Sequence, residues 1–310
     1  MKLGYTKKDG LSNSIIILKR GTLILPAMGE EDVQNMTLHD SFKLTRVGIT
    51  GVEKPITVLR PGKEVPLVCS FEVSVDLPSN QKGSHMSRNV ETLNEVVDRC
   101  ATEPYPSMET LSRHIAQRLL DVHTYANNAF VYVEAPYFMQ RIYDGKKSLE
   151  RYTLHSVCEA PKGGESCTEI GVTVRGMTVC PCAMQNVKMK LELGDEHGAE
   201  GIPVISHNQR NETTLFVQVK NGVEVEAEDL IDLVESSLSS PTFEYLKRDS
   251  EASVVIGAHR NPLFVEDVVR GILKKLVKKY TSMDDDTKIH VRSTSLESIH
   301  KHDAFAERTT

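Results

Sequence analysis

Tryptophan is absent from these 310 residues, and the remaining large aromatics amount to eight Phe and nine Tyr. Ile, Val and Leu must therefore supply most of the core volume. No run of about 18 apolar residues occurs, so no membrane span is expected. The opening stretch MKLGYTKKDGLSNS holds no apolar core followed by a small-residue cleavage site, so no secretory signal is expected either. Six cysteines are too few for a disulfide scaffold, which argues for a reduced, cytoplasmic setting. Positive charge is also in short supply. Lys and Arg number 37 against 43 Asp and Glu, a net charge of −6. That balance argues against a general affinity for nucleic acid but leaves room for a local basic pocket around one small anion.

What is present is the composition of a soluble globular protein, 39% hydrophobic and 26% charged, long enough for one large domain or two of about 150 residues. Alternation in VCSFEVSVDL (68–77) predicts a half-buried strand, and the polar PSNQKGSHMSRN after it a loop. VETLNEVVDRC and SMETLSRHIAQRLLDVH each gather their apolar residues on one helical face, the second behind Ser107 as N-cap. Strands follow near 129–135 and 151–157.

The second half repeats this order. TEIGVTVRGM and TTLFVQVK read as strands, AEDLIDLVESSL and NPLFVEDVVRGILKKLVKKY as amphipathic helices, the latter opening at Asn261-Pro262, and KIHVRSTSL as a closing strand. The expectation is an α+β protein of two ββααββ modules, each a sheet with helices on one face. An N-terminal segment spans 1–43, the first module 44–160, and the second 161–310.

Short polar segments stand near the ends of these elements: GSHMSRN (83–89), VCPCAMQ (179–185), SHNQR (206–210), LKRDSE (246–251), NPLFVED (261–267) and ESIHKHDAFA (297–306). Together they offer a thiol, several imidazoles and carboxylates, the inventory of a catalytic transition-metal site. Taken alone, the Cys180-Pro181-Cys182 pair fits a metal ligand with its neighbour, a redox pair or two small buried hydrophobes. Against the redox reading, only one residue intervenes, not the two of a thioredoxin-like motif.

In order and in residue type these segments resemble the type IB GTP cyclohydrolase family, including its archaeal branch, from about residue 45 to 306. The resemblance implies the tunnelling fold, two ββααββ modules per chain, assembled as a homodimer or homotetramer with sites at subunit interfaces. It implies Cys180, His207 and Glu251 as ligands of one divalent metal, Glu266 as the anchor of the guanine ring and His300 as proton donor. Two departures mark this chain. Twenty-six residues separate Cys180 from His207, a longer insert than bacterial members carry, and Asp249-Ser250-Glu251-Ala252 stands where they show Pro-Asp-Glu-Lys. Both the insert and CPCA look archaeal.

The chemistry of such an enzyme accounts for these residue types. Adding water to C8 of a purine calls for an activated water, and a divalent metal with three protein ligands leaves a position for one. Fe(II) is favoured, and Zn(II) and Mn(II) also suit a Cys, His and carboxylate set. Ring opening requires a proton on the departing nitrogen, which an imidazole such as His300 can give. The donor edge of guanine is matched by one carboxylate, Glu266. His85 and Arg88, with Arg210 and Lys247 or Arg248, are candidate partners for the triphosphate. The expected product is a 7,8-dihydroneopterin phosphate, with the 2′,3′-cyclic phosphate favoured over the triphosphate. The alternative is a non-catalytic tunnelling-fold protein that binds a purine or pterin through Glu266 alone.

Overall fold

Alternation along the strands decides how this chain layers. In the computed structural model, residues 16–17, 23–24, 32–39, 41–60, 62–194, 196–198, 201–219 and 225–310 are described. Most of the expected N-terminal segment lies outside them. In chain order the elements are β1 (Ile16–Ile17), β2 (Leu23–Ile24), a 3-10 turn (Val33–Asn35), β3 (Leu44–Arg60), β4 (Lys63–Leu77), α1 (Met86–Cys100), α2 (Met108–Val122), β5 (Asn128–Tyr143) and β6 (Lys146–Pro161). They continue with β7 (Cys167–Val179), α3 (Pro181–Lys190), β8 (Asn208–Val219), α4 (Ala227–Glu235), β9 (Ser240–Pro241), α5 (Arg248–Arg260), α6 (Val265–Lys279), β10 (Ile289–Leu296) and β11 (Ala304–Thr309).

β1 pairs with β2, and all the longer strands form one antiparallel sheet in the order β11-β10-β8-β7-β6-β5-β4-β3, with β9 added to β7. The architecture is α+β. Along β5, Ala129, Val131, Val133, Ala135 and Tyr137 are buried, as are Leu154, Ser156, Cys158 and Ala160 along β6. Residues two apart share a face, so one side of the sheet is apolar and the helices cover it. α2 lies on β5 and β6, α4 on β7, and α6 on β10 and β11. Leu111, Ile115 and Leu119 recur along the buried stripe of α2, as do Val265, Val268, Val269, Ile272 and Leu276 along α6. Burying each such side chain contributes about 1.5–3 kcal/mol. The opposite sheet face carries Tyr132, Glu134, His155, Thr173 and Glu212, the polar face that an antiparallel sheet can turn to water.

The expected Ser107 N-cap is in place, its Oγ accepting the N–H of Thr110 at 3.1 Å. Two helix starts differ from those the sequence suggests. α1 begins at Met86, so half of GSHMSRN is its first turn and not loop. α6 begins at Val265, not at Asn261-Pro262. Asn261 instead closes α5, its Nδ2 donating to the Leu238 carbonyl at 3.1 Å, and Asp267 opens α6 by accepting the Phe264 N–H at 3.0 Å. The second half also holds α3, β9 and α5 beyond the expected elements. α5 buries only Ser250, Val254 and Ala258, and α3 only Met184, so neither carries a strong hydrophobic period.

Candidate functional site

β7, an inner strand, delivers Cys180 to one end of the sheet. Pro181 occupies the first position of α3, where a fixed φ and a missing N–H cost nothing. Cys180 is the N-cap, and its Sγ takes the N–H of Ala183 at 3.4 Å. β8 starts beside it. The Cys180 N–H donates to the His207 carbonyl at 3.2 Å, and Ser206 Oγ donates to the Cys180 carbonyl at 2.6 Å. These two bonds close the 181–206 insert on itself. Val179, Met184, Val204 and Ala258 pack beneath, joining α3, the end of the insert and α5.

Among the described residues, the His207 ring is held on one side only. Its Nδ1 lies 3.1 Å from Gln209 Oε1 and 3.5 Å from Glu297 Oε2. Gln209 is itself fixed, its Nε2 donating to Thr178 Oγ1 at 3.2 Å. Both acceptors face Nδ1, so the proton sits there and the lone pair is on Nε2. Glu297 is nearly buried, its side chain 10% exposed, and its Oε2 has no hydrogen-bond partner among the described residues. The Glu297 N–H bonds Asp303 Oδ1 at 3.1 Å, which folds the 297–303 loop back toward His207. The His300 ring stands edge-on to His207 with centroids 6.2 Å apart, and His302 stacks on His300 at 5.1 Å.

Glu266 and Glu251 approach from the helices. Leu263 donates its N–H to the Val179 carbonyl at 3.0 Å, so the first turn of α6, carrying exposed Glu266, lies against the strand end that leads into Cys180. Glu251 is exposed on the first turn of α5. It stands two turns before Ala258, roughly 10 Å along the helix axis at ~1.5 Å per residue. Among the described residues, no three His, Cys, Asp or Glu side chains close to metal-binding distance. Cys180 and His207 are brought together, and Glu251 is not brought onto them. Exposed Arg210 on β8, with Lys247 and Arg248 at the start of α5, adds positive charge at this end of the sheet.

His85 and Arg88 are elsewhere. His85 caps α1 and sets its Nε2 2.8 Å from Asp32 Oδ2, while Arg88 donates to the Val122 carbonyl at 3.0 Å. Both stand where β4 ends and β5 begins. Strand register carries that level across β5 and β6 to the start of β7, with Val75 opposite Ala129, Ala129 opposite Ala160, and Glu159 opposite Cys167. Cys180 lies at the other end of β7, roughly 40 Å away along the strands at ~3.3 Å per residue. His85 and Arg88 therefore stand at one end of the strands and Cys180 and His207 at the other. Sequence reasoning missed Glu297 and Gln209, although both lie inside quoted segments. The signal was their spacing, Gln209 two residues after His207 and Glu297 three before His300.

The donor chemistry suits a divalent transition metal: a thiol outside any disulfide, an imidazole with its Nε2 lone pair open, and a buried carboxylate behind the ring. Residues 31–306 match the family model described as type I GTP cyclohydrolase folE2. The chain is 39% identical over 294 residues to GTP cyclohydrolase MptA of Methanobrevibacter smithii, covering 90% of this chain and 94% of that protein. It is 39% identical over 292 residues to the protein of the same name from Methanothermobacter thermautotrophicus, covering 89% and 92%. Among solved structures, a hyperthermostable urate oxidase mutant from Bacillus sp. TB-90 superimposes with a TM-score of 0.50 at 10% identity, covering 86% of this chain and 99% of that one. A hyperthermostable AgUricase mutant matches at the same TM-score and 9% identity, covering 86% and 91%. These two likenesses are of fold alone.

Proposed function

The chain belongs to the type I GTP cyclohydrolase family, and from that membership we propose that it opens the imidazole ring of GTP, releases formate and forms a 7,8-dihydroneopterin phosphate for pterin or methanopterin biosynthesis. The 2′,3′-cyclic phosphate is the proposed product. The observation that supports this most is the Cys180–His207 junction, with a thiol at the helix cap and an imidazole whose Nε2 is left open.

Cys180, His207 and, by family resemblance, Glu251 would hold one divalent metal, with Fe(II) proposed. Such an ion supplies a Lewis acid that brings the pKa of water from 15.7 to roughly 7. Glu297 lies on the Nδ1 side of His207, away from the open nitrogen, so its proposed part is to orient the ring and raise its basicity, not to ligate. Glu266 accepts from N1–H and the exocyclic amine of guanine. His300, edge-on to His207, gives its proton to the ring nitrogen that departs when the C8 bond breaks. Arg210, Lys247 and Arg248 attract the polyphosphate from the same end of the sheet.

We read the chain as the tunnelling fold, with modules at 44–160 and 161–310. The order strand, strand, helix, helix, strand, strand in β3 to β6 supports the first module, and the second fits once α3, β9 and α5 are taken as additions. The separation of the two groups supports a homo-oligomer, in which His85 and Arg88 of another copy reach the triphosphate at Cys180. Anaerobic incubation of metal-reconstituted protein with GTP, followed by mass analysis, tests the activity. Formate with a dihydroneopterin phosphate is expected, and binding of GTP without turnover would make this a purine-binding protein.

A further inference from the structure

The start of α1, which carries His85 and Arg88, is clamped from beneath by a polar network with no part in the chemistry above. His123 follows α2 and is fully buried, as is Asn89 on α1. His123 Nε2 lies 2.8 Å from Asn89 Oδ1, a group that only accepts, so Nε2 carries the proton. His123 Nδ1 lies 2.9 Å from the Tyr125 hydroxyl, which in turn bonds Ser84 Oγ at 2.8 Å. The residue just before His123, Val122, offers its carbonyl to Arg88 Nη1. Every anchor therefore falls between residues 84 and 89. The His85 ring tilts toward the same tyrosine, its centroid 6.5 Å from that of Tyr125, and its Nδ1 is buried without a partner among the described residues.

A buried segment is packed more cheaply with apolar side chains than with four hydrogen-bonding groups, each of which must be satisfied. What such a network gives in return is a single geometry. Burial, with the positive charge of Arg88 nearby, holds the His123 imidazole down to about 4, so it stays neutral with one donor and one acceptor nitrogen over the physiological range.

We propose that His123, acting through Tyr125 and Asn89, is a positioning residue that fixes the Ser84–Asn89 segment so that His85 and Arg88 meet a triphosphate together. This rests on the reading of His85 and Arg88 as triphosphate contacts. Arg88 spends one N–H on Val122, and a guanidinium carries four more donors that can serve an anion. A loosened segment loses this charge-assisted pairing first, because two cations must arrive in register.

Calorimetric titration of the intact oligomer with inorganic triphosphate, and separately with guanosine, tests the proposal. Tyr125→Phe removes one hydroxyl and leaves the ring. It and His123→Ala are each expected to weaken inorganic triphosphate about tenfold or more while guanosine binding is unchanged. His123→Gln, which keeps a donor and an acceptor, should recover part of the loss. Arg88→Ala tests the premise and is expected to weaken inorganic triphosphate as well. If Arg88→Ala weakens it and Tyr125→Phe and His123→Ala do not, the positioning role is overturned. If guanosine binding falls in parallel, the network is a general fold support and the proposal fails. If Arg88→Ala has no effect, the triphosphate reading of the segment falls instead. Should His123→Ala not fold, Tyr125→Phe decides alone.

Discussion

Cys180 donates its backbone N–H to the carbonyl of His207 at 3.2 Å, tying two residues with 26 others between them in the chain. The bond extends the pairing of β7 with β8, whose last ladder partners are Val179 and Asn208. A thiol and an imidazole thus share the end of one ladder, and their separation is set by the sheet and not by the insert between them.

Metal content tests that pair. Cys180→Ala is expected to lower bound metal and turnover together. Cys182→Ala should change neither, because Cys182 is exposed on α3 and its Sγ takes only the Asn186 amide at 3.7 Å. Glu297→Gln should still bind one ion at saturation but with affinity about 10–100-fold lower, the usual size of an effect exerted through a ligating histidine. Equal metal in wild type and Cys180→Ala by elemental analysis would remove Cys180 from the ligand set.

Guanine selectivity tests Glu266. Glu266→Gln keeps the shape and loses the charge, so GTP affinity should fall while metal content holds. ATP should be a poor substrate for the wild type, since adenine turns an acceptor at N1 toward the carboxylate. Comparable turnover of ATP and GTP would sink the assignment.

Subunit mixing tests the separation of His85 and Arg88 from Cys180 and His207. Arg88→Ala and His300→Ala proteins, each inactive alone, should regain activity after subunit exchange, because one mixed site in the oligomer is then intact. Exchange shown by mass measurement with no recovery would place both residues in a site built within one chain.

Proton transfer is tested at His300. Its loss should spare metal and GTP binding yet slow turnover about 10²–10⁴-fold, the range of general acid catalysis. His302 stacks on it with rings 14° from parallel. A much deeper loss in the double variant His300→Ala, His302→Ala means shared duty, and near-wild-type turnover of His300→Ala over pH 6 to 8 would move the role elsewhere.

The pH dependence of stability has a separate source on the open sheet face. His155 is buried between Tyr132 and Thr173, 2.9 and 2.8 Å away, and burial brings its pKa from 6.5 down to about 4 despite the opposing charge of Glu134. A histidine that folds neutral contributes stability above its unfolded pKa, and that contribution is lost as pH falls from 6.5 toward 4. The slope is about 1.4 kcal/mol per pH unit. Urea midpoints measured from pH 4.5 to 7 should be flatter for His155→Gln than for the wild type, and parallel profiles would show that His155 titrates normally.

By itself the sequence determined the layering and the chemistry on offer. Period-two alternation in β4 to β8 and the apolar stripes of α1, α2, α4 and α6 follow from side-chain geometry within each element, so they were readable locally. The motif residues Cys180, His207, Glu266 and His300 were readable as types and order. Only the tertiary structure decided which of them meet. Sheet register joined Cys180 to His207 and folded Glu297 behind the ring, while it sent His85 and Arg88 to the far end of the strands. α3 and α5 escaped because each buries so few side chains that its period is faint. Buried His123 carries no signal in the sequence, because its partner Asn89, and Ser84, which bonds Tyr125, are more than 30 residues away, a nearness set by packing and invisible to any local pattern.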